Sequence, residues 1–126
     1  MSLHPTFDHQ SYLNLETFRK NGARVKTPVW FVADGTTLFV RTMANSGKVK
    51  RVRNHPQVCI TPCKVDGTPL GDGVEASARE VTDPDIANKV DRLLGQKYGV
   101  MKALFGLASS LRGRKSTILE IQVIDR

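Results

Sequence analysis

Arg41-Thr42-Met43-Ala44-Asn45-Ser46-Gly47-Lys48-Val49-Lys50-Arg51 carries the chain from a β-rich segment into a helical period. Thr37 to Thr42 has strand composition, a short loop follows, and Ser46 stands at the N-cap of a helix that reads to Asn54 with Val49 and Val52 inward. Pro56 enforces the stop, because the residue before a proline is driven out of helical backbone. At a helix start the first N–H groups have no intrahelical partner and form the positive end of the dipole, so this geometry receives a phosphate. Thr42 and Ser46 add hydroxyls, Gly47 permits close approach to the backbone, and Lys48 adds a full charge in the first turn. A cation there opposes the helix dipole, and an anion would compensate it. In a plainer reading Ser46 only caps the helix and the bases form a solvated face. The spacing alone serves both.

Upstream, Tyr12 to Arg19 alternates as a strand, and Asn21-Gly22 supplies the positive φ angles of a tight hairpin. Arg24 to Ala33 is rich in Val, Trp and Phe, and Asp34-Gly35 turns it into Thr37 to Thr42, so an antiparallel meander of three strands is expected. In that register Lys26 lies in the strand beside the one ending at Thr42 and points at the same anion. Pro28 cannot donate to a ladder, which makes its strand an edge or a bulged strand. Free backbone there suits the polar rim of a ring system, although core packing is the simpler role for Trp30 and Phe31.

Downstream, Gln57 to Cys63 reads as a buried strand and Asp66-Gly67 as a turn. Val74 to Val81 alternates as a strand with one wet face. Asp83-Pro84 opens a helix with Ile86, Val90, Leu93 and Leu94 on one side, to about Tyr98. Val100 to Leu111 is a candidate further helix, weakened by Gly106, and Ser116 to Ile124 closes as a strand. Six strands with two or three helices predict a mainly β (α+β) fold, a small antiparallel barrel, because closure removes exposed sheet edges.

The chain has 126 residues, which fits one domain spanning 1–126. No apolar run approaches the ~20 residues of a membrane helix. The first residues lack the apolar core of a signal peptide, so a cytoplasmic protein without membrane insertion is expected. Cys59 and Cys63 form no disulfide framework and no four-ligand zinc pattern surrounds them, so no metal is expected. The net charge of +7 is regional. Gly35–Val65 and Arg92–Leu119 hold twelve bases and no acid, while the rest, with seven bases and twelve acids, is net negative. Such windows suit a localised polyanion, whether phosphate, polycarboxylate, nucleic acid or membrane surface. A nucleic-acid module is disfavoured, since only 6% of residues are aromatic and the basic windows lack interleaved stacking platforms.

Val29-Trp30-Phe31, Asp34-Gly35, Arg41-Thr42, Ser46-Gly47-Lys48-Val49-Lys50-Arg51 and Arg53-Asn54-His55-Pro56, in this order, resemble the pyridoxamine 5′-phosphate oxidase-like superfamily, the FMN-binding split barrels. The likeness runs from about Leu13 to Val123. Pro62-Cys63, Gly67-Thr68-Pro69-Leu70-Gly71, Lys97-Tyr98-Gly99 and Leu111-Arg112-Gly113-Arg114 resemble a mycobacterial-type subgroup of coenzyme F-420-dependent enzymes. The resemblance implies a homodimeric split barrel with two cofactor sites at the dimer interface, which with the strands counted above makes a six-stranded split β-barrel. It places the cofactor phosphate on Lys26, Thr42, Ser46 and Lys48 and the ring along Thr27, Pro28 and Val29. Flavin-using relatives often carry arginine where Lys26 stands; lysine keeps the charge and loses the bidentate fork.

Coenzyme F-420 carries a phosphodiester and an oligoglutamate tail, so it is a longer polyanion than FMN. Lys48, Lys50 and Arg51 are therefore expected at the phosphate end and Arg112, Arg114 and Lys115 at the tail, with Arg41 and Gly47 also in the expected cofactor-binding set. The resemblance implies an oxidoreductase passing a hydride between the deazaflavin and a small conjugated substrate. FMN-dependent chemistry and a non-catalytic cofactor carrier are the alternatives. No residue is assigned as the proton donor: His4 and His9 read as surface residues, His55 as a helix-end residue, and Tyr12 and Tyr98 as packed residues with satisfied hydroxyls.

Overall fold

The computed structural model describes residues 7, 9–104 and 116–124. Seven strands form one antiparallel sheet: β1 (Tyr12–Phe18), β2 (Arg24–Trp30), β3 (Val32–Asp34), β4 (Thr37–Met43), β5 (Gln57–Cys63), β6 (Val74–Val81) and β7 (Ser116–Val123). Helix α1 (Gly47–Asn54) follows β4, and α2 (Pro84–Leu104) follows β6. The sheet order is β2-β1-β5-β6-β7-β4-β3.

The turns form where the sequence requires positive φ. Gly22 at 88° joins β1 to β2, with Asn21 Oδ1 accepting from Ala23 N–H at 3.0 Å, and Gly35 at 62° joins β3 to β4. The alternation in β6 is also as expected, with Ala76 and Ala78 buried and Glu75 and Arg79 exposed.

Two expectations are corrected. The segment expected as one strand over Arg24 to Ala33 is broken at Phe31, which gives seven strands in place of six. β2 and β3 stand at opposite ends of the sheet order, so the chain crosses from one edge to the other at Phe31 and thereby curls the sheet. The three-strand meander is therefore not formed: among the described residues β2 pairs with β1 alone, while β4 lies between β3 and β7. Pro28 does sit on an edge strand, opposite Asn14. The two helices expected on either side of Gly99 are both present up to Leu104: α2 is interrupted at Gly99, whose φ of 39° and ψ of −111° are not helical. Residues 105–111 of the expected second helix lie outside the described residues.

Leaving the ladder at Phe31 frees its backbone groups, and α2 supplies their partners. Phe31 N–H donates to Tyr98 Oη at 3.0 Å, and Phe31 O accepts from Lys97 Nζ at 2.8 Å and from Tyr98 Oη at 2.9 Å. The Phe31 ring is buried edge-on to Phe7. It belongs to the main core, where Leu13, Leu15, Leu38, Val40, Ile60, Leu119 and Ile121 line the concave side of the sheet and Val49 and Val52 of α1 fill its end. Each such side chain contributes about 1.5–3 kcal/mol on burial. A second cluster on the convex side packs Val90, Leu94 and Tyr98 of α2 on Val32, Phe39 and Ile118, with Ile86 and Leu93 at its margin. One sheet thus has a helix packed on each side, and the start of α1 lies where β4 leaves the concave core.

Candidate functional site

The loop between β4 and α1 is a tight turn, with Ser46 N–H donating to Met43 O at 3.1 Å. Ser46 is the N-cap in extended backbone, φ −70° and ψ 156°, but its side chain makes no capping hydrogen bond. Ser46 is thus the expected N-cap by its backbone, with its hydroxyl not used as a cap. Ser46 Oγ is instead buried with no hydrogen-bond partner among the described residues. A buried hydroxyl without a partner costs about 1–3 kcal/mol, and a ligand oxygen would recover that cost. The first turn of α1 contains no acidic residue, so its free N–H groups have no carboxylate to face.

Cations crowd this end of the helix. Burial lowers the Lys48 pKa from its ordinary value, and the charge of Arg51 lowers it further. Arg51 is itself pushed down, chiefly by loss of solvent and then by the charge of Arg19. Arg51 folds back along the helix: Nε donates to Thr17 Oγ1 at 2.6 Å. Its Nη1 lies 2.7 Å from where a Cβ on Gly47 would stand. The Arg51 guanidinium thus occupies the space that a side chain at Gly47 would take. Thr42, at the end of β4, is buried and paired in register with Thr117. An orphaned hydroxyl, unpaired helix-start amides and like-charged neighbours without an acid make the arrangement fit a phosphate group.

The other expected site residues are placed as follows. Lys26 stands opposite Glu16 in register, and its ammonium lies 3.8 Å from the Glu16 carboxylate, which Arg24 also approaches at 3.5 Å. Glu16 and Thr17 point to opposite faces of β1, so within one chain Lys26 is on the face away from Arg51. The expectation that Lys26 shares an anion with the helix start through a β2–β4 pairing is corrected by the β2–β1 pairing. Thr27, Pro28 and Val29 occupy the edge strand; Val29 packs on the core, and Pro28 Cγ lies 3.4 Å from where a Cβ on Gly67 would stand. Arg41 is engaged elsewhere, donating to Asp91 Oδ1 at 2.6 Å and to Ser116 Oγ at 2.9 Å. Lys50 is exposed. Arg112, Arg114 and Lys115 lie outside the described residues.

Thr17 was not anticipated as part of the site. No local pattern marks it, since its partner Arg51 lies 34 residues away. A separate cleft of about 440 Å³ on the convex face is lined by Glu16, Arg24, His55, Cys59 and Glu75 among others. Its two carboxylates make it a poor receiver of phosphate. Among the described residues there is no group of His, Cys, Asp and Glu suited to a metal ion, and no helix is long and apolar enough to cross a membrane.

A curled antiparallel sheet whose two edge strands follow one another through Phe31, with an acid-free helix start after β4, defines a split-barrel protein. The family model for pyridoxamine 5′-phosphate oxidase matches residues 4–125, and the chain belongs to that family. No curated protein matches the sequence. Among solved structures, a conserved hypothetical protein from Mycobacterium tuberculosis superposes with a TM-score of 0.74 at 17% identity, covering 95% of this chain and 77% of that one. The heme storage protein of Vibrio cholerae gives 0.73 at 18%, covering 100% and 93%. An F420 reductase gives 0.58 at 16%, covering 99% and 95%. At such identities the likeness is one of fold.

Proposed function

We propose that this protein is an oxidoreductase that binds coenzyme F-420 through its phosphate at the start of α1 and acts as a homodimer on a small conjugated substrate. The observation that carries the proposal is the buried, partnerless Ser46 hydroxyl beside an acid-free, cation-lined helix start. Family membership and the shared fold with an F420 reductase support it. The bound deazaflavin supplies the hydride chemistry. The chain supplies binding and orientation: Ser46 Oγ and the first-turn N–H groups donate to phosphate oxygens, and Lys48 and Arg51 balance the charge. Exposed Lys50 extends the cationic surface. The acid-free window from Arg92 to Leu119, with Arg112 and Arg114, is assigned to the oligoglutamate tail.

An FMN-dependent enzyme is the second reading, because the features at Ser46 and Lys48 recognise any phosphate monoester or diester. One titration separates these readings: cofactor-free protein against FMN, coenzyme F-420, a tail-free deazaflavin and an oligonucleotide, each followed by fluorescence. Preference for F-420 over both the tail-free form and FMN, weakening as salt rises, is the expected result. FMN binding without deazaflavin binding overturns the first reading. Oligonucleotide binding with a steep salt slope and no cofactor uptake overturns both. Deazaflavin binding without turnover on any acceptor would identify a carrier.

A further inference from the structure

Thr17 lies on β1, one strand in from the edge, and has no solvent exposure. A threonine in so apolar a surrounding needs its hydroxyl paired, and here the hydroxyl does two things. It accepts the Nε–H of Arg51 at 2.6 Å and stands 3.5 Å from the carbonyl of Val25, toward which its own proton is directed. Arg51 therefore has its middle nitrogen fixed to the sheet. Its terminal nitrogens are carried to the first residue of α1, where the absent side chain of Gly47 leaves room for them. Among the described residues those terminal nitrogens make no hydrogen bond. A guanidinium is rigid and planar, so fixing Nε fixes the direction in which both Nη groups present their protons.

We infer that Thr17 is a positioning residue that orients Arg51 as a second, directional donor to the cofactor phosphate. The inference rests on the phosphate reading of the helix start and adds to it a buried sheet residue that determines phosphate affinity without touching the ligand. An unanchored Arg51 would balance charge from many rotamers. An anchored one meets the phosphate already oriented, with the entropy of the side chain lost in folding and not on binding.

The test compares cofactor-free wild type, Thr17→Val and Thr17→Ser with FMN and riboflavin, which differ only by the phosphate. Coenzyme F-420 and its phosphate-free deazaflavin fragment serve as a second pair. Thr17→Val keeps the volume and removes the hydroxyl. It is expected to lower affinity for the phosphorylated ligand about tenfold, the worth of one charge-assisted hydrogen bond, with the phosphate-free ligand unaffected. Thr17→Ser is expected to restore the preference. Equal weakening of both ligands, an unchanged preference in Thr17→Val, or failure of Thr17→Ser to restore it overturns the inference while leaving the phosphate site standing. A wild type that does not distinguish FMN from riboflavin, nor F-420 from its fragment, overturns the phosphate reading and this inference with it. If Thr17→Val does not fold, Arg51→Lys decides, because lysine keeps the charge but cannot hold Thr17 and reach Gly47 together. The same tenfold loss supports the inference, and wild-type affinity defeats it.

Discussion

The hydroxyl of Tyr98 takes the place of a missing β-strand for Phe31. It accepts from the Phe31 amide at 3.0 Å and stands 2.9 Å from the carbonyl of the same residue, with Ser11 O a further acceptor at 2.8 Å. Its ring stacks on Trp30 at 4.2 Å between centroids, 5° from parallel. One side chain of α2 thus secures the point where the chain leaves one edge of the sheet for the other.

Tyr98→Phe keeps the stack and removes the hydroxyl, leaving the Phe31 N–H buried without a partner. A loss of about 1–3 kcal/mol is expected, read as a lower urea midpoint. Unchanged stability would show that another group replaces the hydroxyl.

Lys97 reaches the same place from the next position. The residue keeps much exposure, yet its ammonium turns inward, 3.5 Å from the Phe31 ring centroid, and loss of solvent lowers its pKa from 10.5 to about 8. The unfolded chain therefore holds this proton more tightly than the folded one. Between about pH 8 and pH 10.5 the unfolded state binds more protons, and the Lys97 contribution to stability rises with pH across that window. Thermal midpoints of wild type minus Lys97→Met should increase over this range. A flat or falling difference contradicts the prediction.

Lys48→Ala removes a charge held beside Arg51 at the helix start. Cofactor affinity should fall on the order of 10–100-fold, the range of a charge-assisted hydrogen bond, while the thermal midpoint is retained. Loss of folding would assign Lys48 to structure.

Gly47→Ala places a methyl group 2.7 Å from Arg51 Nη1, so the guanidinium must leave the helix start. Because the displaced group is the tip of a flexible side chain, stability should change by less than about 1 kcal/mol. Phosphate-dependent affinity should fall, as riboflavin and FMN titrations would reveal.

Gly67→Ala tests the edge strand. Gly67 has φ of 92°, and a Cβ there would stand 3.4 Å from Pro28 Cγ. Asn14 Nδ2 also donates to Gly67 O at 2.8 Å. A stability loss of about 1–3 kcal/mol is expected from the strained backbone, measurable by denaturant unfolding.

Local chemistry was legible in the sequence wherever one residue type decides a conformation. Asn21-Gly22 and Asp34-Gly35 make their turns, Val49 and Val52 point inward, and His55 caps α1 before Pro56. The packed role expected of Tyr98 also holds, since it is buried with its hydroxyl paired. The break at Phe31 was not legible, because no glycine or proline marks it and its cause is 67 residues downstream in Tyr98. Strand pairing was misread for the same kind of reason. Turn residues show that two segments are joined, but which edges meet depends on β5 and β7, far along the chain. At the site, the helix start was visible as a pattern. That Arg41 is held by Asp91 and Arg51 by Thr17 depends on packing that no spacing encodes.

The position of β7 has a consequence for how the protein is made. Among the described residues, the β2-β1-β5-β6 strands and the β4-β3 pair share no ladder except through β7, which lies between β6 and β4. A growing chain that has already formed both halves therefore holds two half-sheets with open inner edges until residues 116–123 leave the ribosome. A stalled or shortened product would expose two unpaired strands at the centre of the molecule, where a neighbouring nascent chain can add its own strand. Quality of synthesis, more than the stability of the finished fold, would then govern how much usable protein a cell obtains.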